Sequence, residues 1–438
     1  MLSQSAYLFA AKVIGFGIRI LLPIFLVRTM TKADIGAYNQ FFLVEILLRT
    51  MFQMGVNQSQ YFFVPRDPAN AGGYFANSLL LNIVLFGAGY SAISLFIEPT
   101  SEWLGLPILR LYFREIVIYG ILLMLNVTSM TYLTASKHFK HAALFEIIMQ
   151  VLASIATLAA AYFTRDLHTI LTWLVVSRGI SLIIIVLYIH FKLRGFRSER
   201  YFFDIRKQVR YGIALGFGGM LWTLMMRMHE LSVSKFYDIE TYAVYAQGLK
   251  QIPILQFYTQ SIAVVALVQF AHLVQKDDWA GVQAFWNKIL ANVYGIGIPV
   301  TLFFLLIAHP LVVLMYTKDY AAAVPIFRIN ALGMMYVILN PALVLRALDR
   351  NDVTVKVNLL ITLLLPVLLY FGMSSFGLIG VITAHAMMLL AGRILALVYL
   401  NRLVPVPLAY FPKPSLVLDF YANSYRRILL KIRSFVGR

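Results

Sequence analysis

The stretch that decides the fold is GFGIRILLPIFLVRTMTKADIGAYNQFFLVEILLR, residues 15–49. It is hydrophobic enough to lie in a membrane, yet its apolar segments contain Arg19, Glu45 and Arg49. A charged side chain deep in a bilayer is costly, and it persists where it faces a polar cavity, a partner or a ligand. The stretch therefore predicts two membrane helices that carry charges for a functional reason.

The same pattern returns about two hundred residues later. The Gly-Phe-Gly of residues 15–17 recurs at residues 216–218, and the Asp-Ile-x-x-Tyr of residues 34–38 recurs at residues 238–242. A further echo pairs LTASK, which starts at residue 133, with LRALDR, which starts at residue 345. Like the opening stretch, its repeat around residues 216–250 has charges in apolar sequence, at Arg227, Glu230 and Lys250. The echoes predict an internal duplication, as in transporters whose site lies between repeated halves.

Composition sets the class of protein. Hydrophobic residues make up 61% of the chain and charged residues 13%, about half of the charged fraction of ordinary soluble domains. The net charge of +18 resides in short loops between apolar segments, which argues against a nucleic-acid-binding face. The absence of cysteine excludes disulfides and thiolate metal sites. The chain is predicted to be an integral membrane protein.

Apolar segments of about twenty residues, enough to cross a hydrocarbon core of about 30 Å, follow one another along the chain. The twelve predicted spans are Ser5–Val27, Ala37–Met54, Tyr74–Ile97, Leu111–Tyr132, Ala142–Phe163, Ile170–Phe191, Tyr211–Leu231, Tyr242–Val268, Ile289–Ala308, Ala321–Leu345, Val353–Phe371 and Phe376–Leu400.

The basic residues predict the orientation. With the N-terminus in the cytoplasm, the inner loops and tail hold twenty-two Lys and Arg residues and the outer loops six. The basic connection 192–210 divides the chain into two six-helix lobes, residues 1–200 and 201–402, followed by a basic amphipathic tail, residues 403–438, on the cytoplasmic surface. Because each lobe has an even number of spans, the lobes are expected to be parallel repeats about a pseudo-two-fold axis along the membrane normal.

These spans and echoes resemble the multidrug/oligosaccharidyl-lipid/polysaccharide exporter superfamily, and within it the Wzx-type O-antigen and polysaccharide-repeat flippases. The resemblance covers roughly residues 5–400. It implies an all-α, MATE-like fold that moves an undecaprenyl-diphosphate-linked oligosaccharide to the outer leaflet of the bacterial inner membrane by alternating access. It further implies coupling to H⁺ or Na⁺ and work beside a polysaccharide polymerase or assembly complex. The duplication makes a monomer sufficient.

The charges inside the spans predict the chemistry of the substrate. More Arg and Lys than Asp and Glu lie there, which favours an anion, and guanidinium groups suit phosphate because they donate paired hydrogen bonds. The predicted substrate-binding residues are Arg19, Arg49, Arg178, Arg227 and Lys250. Glu45 and Glu230 are predicted to be counter-ions or ion-coupling groups.

Other functions remain open at this stage. A MATE-type multidrug or cation antiporter would need carboxylates at its centre. A polysaccharide polymerase or ligase would be expected to have a long outer loop, whereas the outer connections here are about a dozen residues. A passive channel or a scaffold is a third class. The sequence contains no acidic metal cluster, glycine-rich phosphate loop or hydrolase elbow, so neither an enzyme nor a cofactor is predicted.

Overall fold

The computed structural model of the chain describes residue 17 and residues 21–193, 196–198, 200–201, 204–250, 253–337 and 340–422. All regular structure in these residues is helical, without a strand. Six of the described helices are long and apolar enough to cross a membrane. The predicted all-α membrane class is confirmed.

The helices before the basic connection follow the predicted spans. Residues 21–29 are helical. The next helices are α1 Lys32–Gln53, α2 Val56–Phe63, α3 Ala71–Leu95, α4 Ile97–Leu104, α5 Pro107–Leu111, α6 Phe113–Ala135, α7 Phe139–Phe163 and α8 Leu167–Leu187, which continues as a π-helical turn, Tyr188–Lys192.

The helices after the connection are longer or broken. They are α9 Ile205–Phe236, α10 Ile239–Gly248, α11 Pro253–Gln275, α12 Trp279–Tyr316, α13 Ala323–Val337, α14 Ala342–Ala347 and α15 Asn351–Leu403. Each of the twelve predicted spans thus corresponds to helical structure, the first of them described only in part.

Three predicted spans differ from continuous helices. The second span continues beyond its predicted end at Met54 as α2, after a break. The eighth, predicted as one helix, is divided into α10 and α11, and the second piece begins at Pro253 because proline has no amide hydrogen to donate to the preceding turn. The tenth is divided into α13 and α14, with Pro341 immediately before the second piece.

The 53-residue helix α15 contains the last two spans. Gly377, inside it, has φ 56° and ψ −138°, a conformation that only glycine adopts readily. On either side of this turn the chain packs against itself, since a Cβ on Gly380 would lie 1.8 Å from the carbonyl oxygen of Gly372 and one on Gly392 would lie 3.1 Å from Ile361 Cγ1. The two halves of α15 therefore form an antiparallel hairpin.

The break between α1 and α2 packs against α9, and glycines lie at the points of contact. Met54 and Gly55 both have positive φ, 43° and 70°. A Cβ on Gly55 would lie 2.1 Å from the carbonyl oxygen of Gly212, and one on Gly216 would lie 2.3 Å from the carbonyl carbon of Met54. Since real Cβ atoms do not approach backbone atoms so closely, α1 and α9 meet here backbone to backbone, which only glycine allows.

The two Asp-Ile-x-x-Tyr echoes form helix starts that pack against each other. Thr31 caps α1 by accepting the amide hydrogen of Asp34. Asp238 accepts the Thr241 amide hydrogen at 2.8 Å, and this bond lowers the pKa of the Asp238 carboxyl. A Cβ on Gly36 would lie 2.2 Å from the carbonyl oxygen of Ile239, so the first copy of the motif needs glycine where it meets the second.

Hydrogen bonds between buried side chains fix the register of α9 against α1 and α2. Gln40 Nε2 donates to Ser234 Oγ at 2.7 Å. At the other end Gln208, 1% exposed, donates to Ser59 Oγ and Ser78 Oγ, both at 3.1 Å, and accepts from Asn77 Nδ2 at 3.1 Å. Because a buried amide without partners is costly, these bonds favour one antiparallel register of α1–α2 against α9.

By its internal contacts the chain separates into two compact units. The first comprises residues 1–246 and 315–319, and the second residues 247–314 and 320–438. Helix α9 therefore belongs by contact to the first unit, although the repeat predicts it as the first helix of the second lobe. The predicted lobe boundary at residue 200 concerns duplication rather than contact and stays a prediction.

The segment after α15 is tied to the start of α12. Trp286, fully buried, donates its indole hydrogen to the carbonyl oxygen of Ala409 at 2.7 Å, and Gln283 Nε2 donates to that of Pro407 at 2.7 Å. Residues 414–422 are helical, and residues 423–438 of the predicted basic tail lie outside the described residues. The placement of the tail on a lipid surface stays a prediction.

The two glycines of the second Gly-Phe-Gly motif provide a matched test of the backbone contact. Gly216→Ala places a Cβ against Met54, and overpacking of this kind costs about 1–3 kcal/mol. Gly218→Ala meets nothing within 4 Å and gains helix propensity, so it should be neutral or stabilising by up to about 1 kcal/mol. Thermal unfolding of the purified variants measures the difference, and equal unfolding temperatures would contradict the contact.

Candidate functional site

The first candidate group is an ion pair within α1. Glu45 and Arg49 lie one turn apart, and Arg49 Nε is 2.6 Å from Glu45 Oε1. The Glu45 side chain is 4% exposed and that of Arg49 is 22% exposed. By a helical rise of about 1.5 Å per residue, Arg49 lies about 25 Å from the start of α1 and about 6 Å from its end at Gln53, just before the break that precedes α2. The pair thus keeps the carboxylate inside the protein and leaves part of the Arg49 side chain accessible.

Arg178 of α8 lies behind this pair and is held by protein groups. Its Nη1 donates to the carbonyl oxygen of Met149 at 3.3 Å, and its Nη2 lies 3.4 Å from the Tyr119 hydroxyl, with the guanidinium over the Tyr119 ring. Arg178 is 7% exposed, and it interacts electrostatically with Glu45. The geometry makes Arg178 a buried second cation for Glu45 rather than a group that faces outward.

The second candidate group is an ion pair within α9. The Arg227 guanidinium bonds the Glu230 carboxylate one turn away, and the Tyr242 hydroxyl lies 3.5 Å from Glu230 Oε2. The Glu230 side chain is 9% exposed and that of Arg227 is 39% exposed. Arg227 is nine residues from the end of α9 at Phe236, about 14 Å along the helix. The arrangement repeats the first pair, with a buried carboxylate and an accessible guanidinium.

The register of the two helices brings the two pairs to similar depths. Gln40 lies beside Ser234, and Gly55 lies beside Gly216, on helices that run in opposite directions. Interpolation between these contacts places Arg227 level with Glu45, and therefore about one helical turn, roughly 6 Å, from the level of Arg49. Two partly accessible arginine side chains thus occur within about one helical turn of each other in the first compact unit.

The exposed surface of these two arginine side chains must contact lipid, water or a ligand. Lipid contact at this depth would cost each charge several kcal/mol, so their accessible surface is expected to meet water or a ligand. Two guanidinium groups present up to ten N–H donors in planar forks, which match phosphate or carboxylate oxygens. The arrangement is suited to an anion with several oxygens.

The other predicted site residues lie elsewhere. Arg19 lies outside the described residues. Lys250 belongs to the second compact unit and lies between α10 and α11, so the prediction that residues 242–268 form one continuous helix around it is wrong.

Sequence reasoning missed the aromatic partners of the charges. Tyr119 and Tyr242, both buried, contact Arg178 and Glu230. His229, 4% exposed, places Nδ1 2.7 Å from the hydroxyl of Tyr245, which is fully buried. Tyr242 belongs to the repeated motif, which was a signal for it; no pattern marked Tyr119. Among the described residues, no group of three His, Asp or Glu side chains that could hold a metal ion comes together.

Comparison with known protein families identifies the family of the chain. A family model described as "polysaccharide biosynthesis protein" matches residues 25–325. The chain belongs to this family. No curated protein sequence matches this polysaccharide biosynthesis protein.

Solved structures show the fold of this family member. The lipid II flippase MurJ, in an inward closed conformation, aligns with a TM-score of 0.71 at 14% identity, over 100% of this chain and 93% of MurJ. An inward-facing multidrug resistance MATE transporter of the MOP superfamily aligns with a TM-score of 0.69 at 13% identity, over 88% of this chain and 94% of that one.

A third structure, a MOP superfamily transporter from Pyrococcus furiosus described as having a binding pocket of reversed polarity, aligns with a TM-score of 0.65 at 12% identity, over 92% of this chain and 95% of that one. The predicted MATE-like fold is confirmed, and the chain is a multi-pass membrane protein. The O-antigen subgroup stays a prediction.

The Glu45–Arg49 pair can be tested by its stability. Arg49→Gln leaves a buried carboxylate without its nearest cation, and loss of one partner of a buried pair costs about 3–5 kcal/mol, less here because Arg49 is partly exposed. The double variant Glu45→Gln, Arg49→Gln removes both charges and is expected to recover much of the loss. Thermal unfolding of the single and double variants measures this, and a double variant no more stable than Arg49→Gln would contradict the pairing.

Proposed function

We propose that this protein is a flippase that moves an undecaprenyl-diphosphate-linked oligosaccharide repeat unit from the cytoplasmic to the outer leaflet of the bacterial inner membrane. It acts by alternating access through a cationic lumen and serves cell-surface polysaccharide biosynthesis, as Wzx-type flippases do. It carries out no chemical conversion. Support comes from the family to which the chain belongs and from the transporter fold that it shares with MurJ and the MATE proteins.

One observation carries the proposal. Arg49 and Arg227 lie within about one helical turn of each other along their helices, and each is paired with a buried carboxylate. A diphosphate presents several oxygens to such guanidinium pairs, and the oligosaccharide that follows it is polar. Arg178 is proposed to act as a second cation near Glu45, with its own hydrogen bonds to Met149 and Tyr119. Arg19 and Lys250 remain proposed substrate contacts.

The two carboxylates give the proposed site a means of changing its charge. Glu45 and Glu230 each compete with the substrate for a guanidinium, so a proton or Na⁺ taken up by the carboxylate would release the arginine to the diphosphate. Coupling to an H⁺ or Na⁺ gradient is proposed on this ground. The termini are proposed to lie in the cytoplasm, the chain to act as a monomer, and a polysaccharide polymerase or assembly complex to receive its product.

A MATE-type antiporter for organic cations is the second candidate, and the shared fold favours it. Such an antiporter needs a binding site of the opposite charge, because a cationic drug binds to accessible carboxylates. Here both carboxylates are the buried members of their pairs, at 4% and 9% exposure. A cation would therefore meet guanidinium groups first, which makes this candidate the weaker one.

Flipping of a fluorescent undecaprenyl-diphosphate oligosaccharide in proteoliposomes tests the proposal. The double variant Glu45→Gln, Arg49→Gln and the single variant Arg227→Gln are expected to lose at least about tenfold in flipping rate, because each lost charge-assisted hydrogen bond is worth about 1.5–3 kcal/mol. Quenching of the label in the outer leaflet measures the rate.

The control for this assay is Arg110→Gln, which removes an arginine from the exposed Arg110–Glu98 pair and should leave the rate unchanged. Flipping that survives in the folded double and Arg227 variants would show that these arginines do not hold the substrate. Transport of organic cations without flipping of the lipid would replace the flippase by the antiporter.

A further inference from the structure

Tyr90 of α3 is a buried tyrosine beside the Glu45–Arg49 pair. It is 3% exposed, and its hydroxyl oxygen has no hydrogen-bond partner in the part of the chain that the structure describes. The charged groups that act on this hydroxyl are Glu45 and Arg49. A buried hydroxyl without a hydrogen bond is costly, and each such group in a folded protein needs an explanation.

Packing holds the Tyr90 side chain in this position. Its ring meets that of Phe52 edge to face, with the centroids 5.4 Å apart. Phe52 is seven residues after Glu45 and three after Arg49, so it lies on the same face of α1 as the pair. On the other side Gly120 of α6 leaves room for the hydroxyl, since a Cβ there would lie 2.3 Å from the hydroxyl oxygen. Tyr90 is therefore enclosed between the charged face of α1 and the backbone of α6.

Glu45 has an unused place for a hydrogen-bond donor. Among the described residues its carboxylate accepts one hydrogen bond, from Arg49 Nε to Oε1 at 2.6 Å. The nearby guanidinium of Arg178 directs its hydrogen bonds to Met149 and Tyr119 instead. A buried charge needs hydrogen bonds as well as a counter-charge. If Arg49 turned to a substrate, the carboxylate would therefore lose its one described hydrogen bond.

The second ion pair already contains a tyrosine contact of the kind that Glu45 lacks in the described structure. The Tyr242 hydroxyl donates to Glu230 Oε2 at 3.5 Å, while Arg227 bonds Oε1 of the same carboxylate. Tyr242 is buried, like Tyr90. One of the two buried carboxylates thus has a hydroxyl at its second oxygen, and the other has a buried hydroxyl nearby that is not engaged.

We propose that Tyr90 is a positioning residue for the first ion pair: its hydroxyl bonds Glu45 when Arg49 leaves that carboxylate for an anionic ligand. A hydroxyl donates to an ionised carboxylate and accepts from a protonated one, so the bond suits both forms of Glu45. The exchange keeps the carboxyl group hydrogen-bonded inside the protein, which lowers the cost of freeing the guanidinium. The use of this exchange in flipping rests on the proposed function, whereas the exchange itself does not.

Thermal unfolding of the purified full chain tests the exchange without any transport. Tyr90→Phe removes only the hydroxyl and is compared in the unmodified chain and in Arg49→Gln, where Glu45 has lost its arginine. In the unmodified chain the hydroxyl bonds no described residue, so Tyr90→Phe is expected to leave the unfolding temperature unchanged or to raise it. In Arg49→Gln the hydroxyl is expected to bond Glu45, so Tyr90→Phe should lower that temperature by at least about 2 °C. The same shift in both backgrounds would overturn the proposal.

Tyr132→Phe is the matched control. Tyr132 is also a buried tyrosine of the first unit, stacked on Phe75 with the ring centroids 4.5 Å apart. It lies thirteen residues, about 20 Å, along α6 from Tyr119. Its substitution should shift the unfolding temperature by the same amount with and without Arg49→Gln. If it instead showed the dependence on Arg49 expected of Tyr90→Phe, Arg49→Gln would have loosened the unit as a whole, and the proposal would fall.

The flipping assay supplies a second measurement, which stands even if Arg49→Gln fails to fold. Tyr90→Phe keeps every charge of the chain. It is expected to slow flipping by at least about tenfold, the value of one hydrogen bond to a charged group, at an undiminished unfolding temperature. Equal rates for Tyr90→Phe and the unmodified chain would overturn the role of Tyr90 in flipping. An unmodified chain that does not flip the lipid would refute the proposed function alone, because the unfolding test of Tyr90 needs no substrate.

Discussion

The first compact unit depends on the close approach of α9 to α1 and α2. Two contacts that only glycine permits, at Gly55 and Gly216, bring the backbone of α9 against the turn between α1 and α2, and a third at Gly36 brings α1 against the start of α10. Gln40 and Gln208 also form buried hydrogen bonds, to Ser234 and Ser59. A shift of one residue along the helices would break these bonds. In a membrane, where apolar surface gains little by leaving lipid, small residues and interhelical hydrogen bonds are the main sources of specific helix association.

This fixed register also explains why the charges of the site can be tolerated. Arg49 and Arg227 stay within about one helical turn of each other because their helices cannot slide past each other. Each guanidinium is bonded to its own carboxylate one turn away, so the net charge placed at this depth is small. Arg178 adds a further cation beside Glu45, with its hydrogen bonds directed at Met149 and Tyr119. The polar groups are therefore satisfied mainly by the protein, and the accessible edges of two arginines remain for a ligand.

The sequence was sufficient for the number and order of the spans, because a length of about twenty apolar residues is set by the thickness of the bilayer. It was also sufficient for the residues of the two ion pairs, since a charge in an apolar helix stands out. It was insufficient for the breaks at Met54–Gly55 and around Lys250, because hydrophobicity reports burial in lipid or protein and not backbone direction. The role of Arg178 was also hidden, as its partner Tyr119 is an ordinary aromatic in an apolar helix. The pairing of helices is a tertiary property that a hydrophobicity pattern does not contain. Of the glycines at the helix contacts, Gly36 and Gly216 stood out in the sequence only as members of repeated motifs.

The glycine contact between Gly55 and Gly212 has a consequence for how the protein is made. The ribosome completes α2 about 170 residues before it completes α9, a delay on the order of ten seconds at typical rates of synthesis. During that interval the turn at Met54–Gly55 lacks its packing partner, and the amide of Gln40 lacks its hydrogen bond to Ser234. A chain cut between α8 and α9 would therefore leave the turn between α1 and α2 without the helix that packs against it.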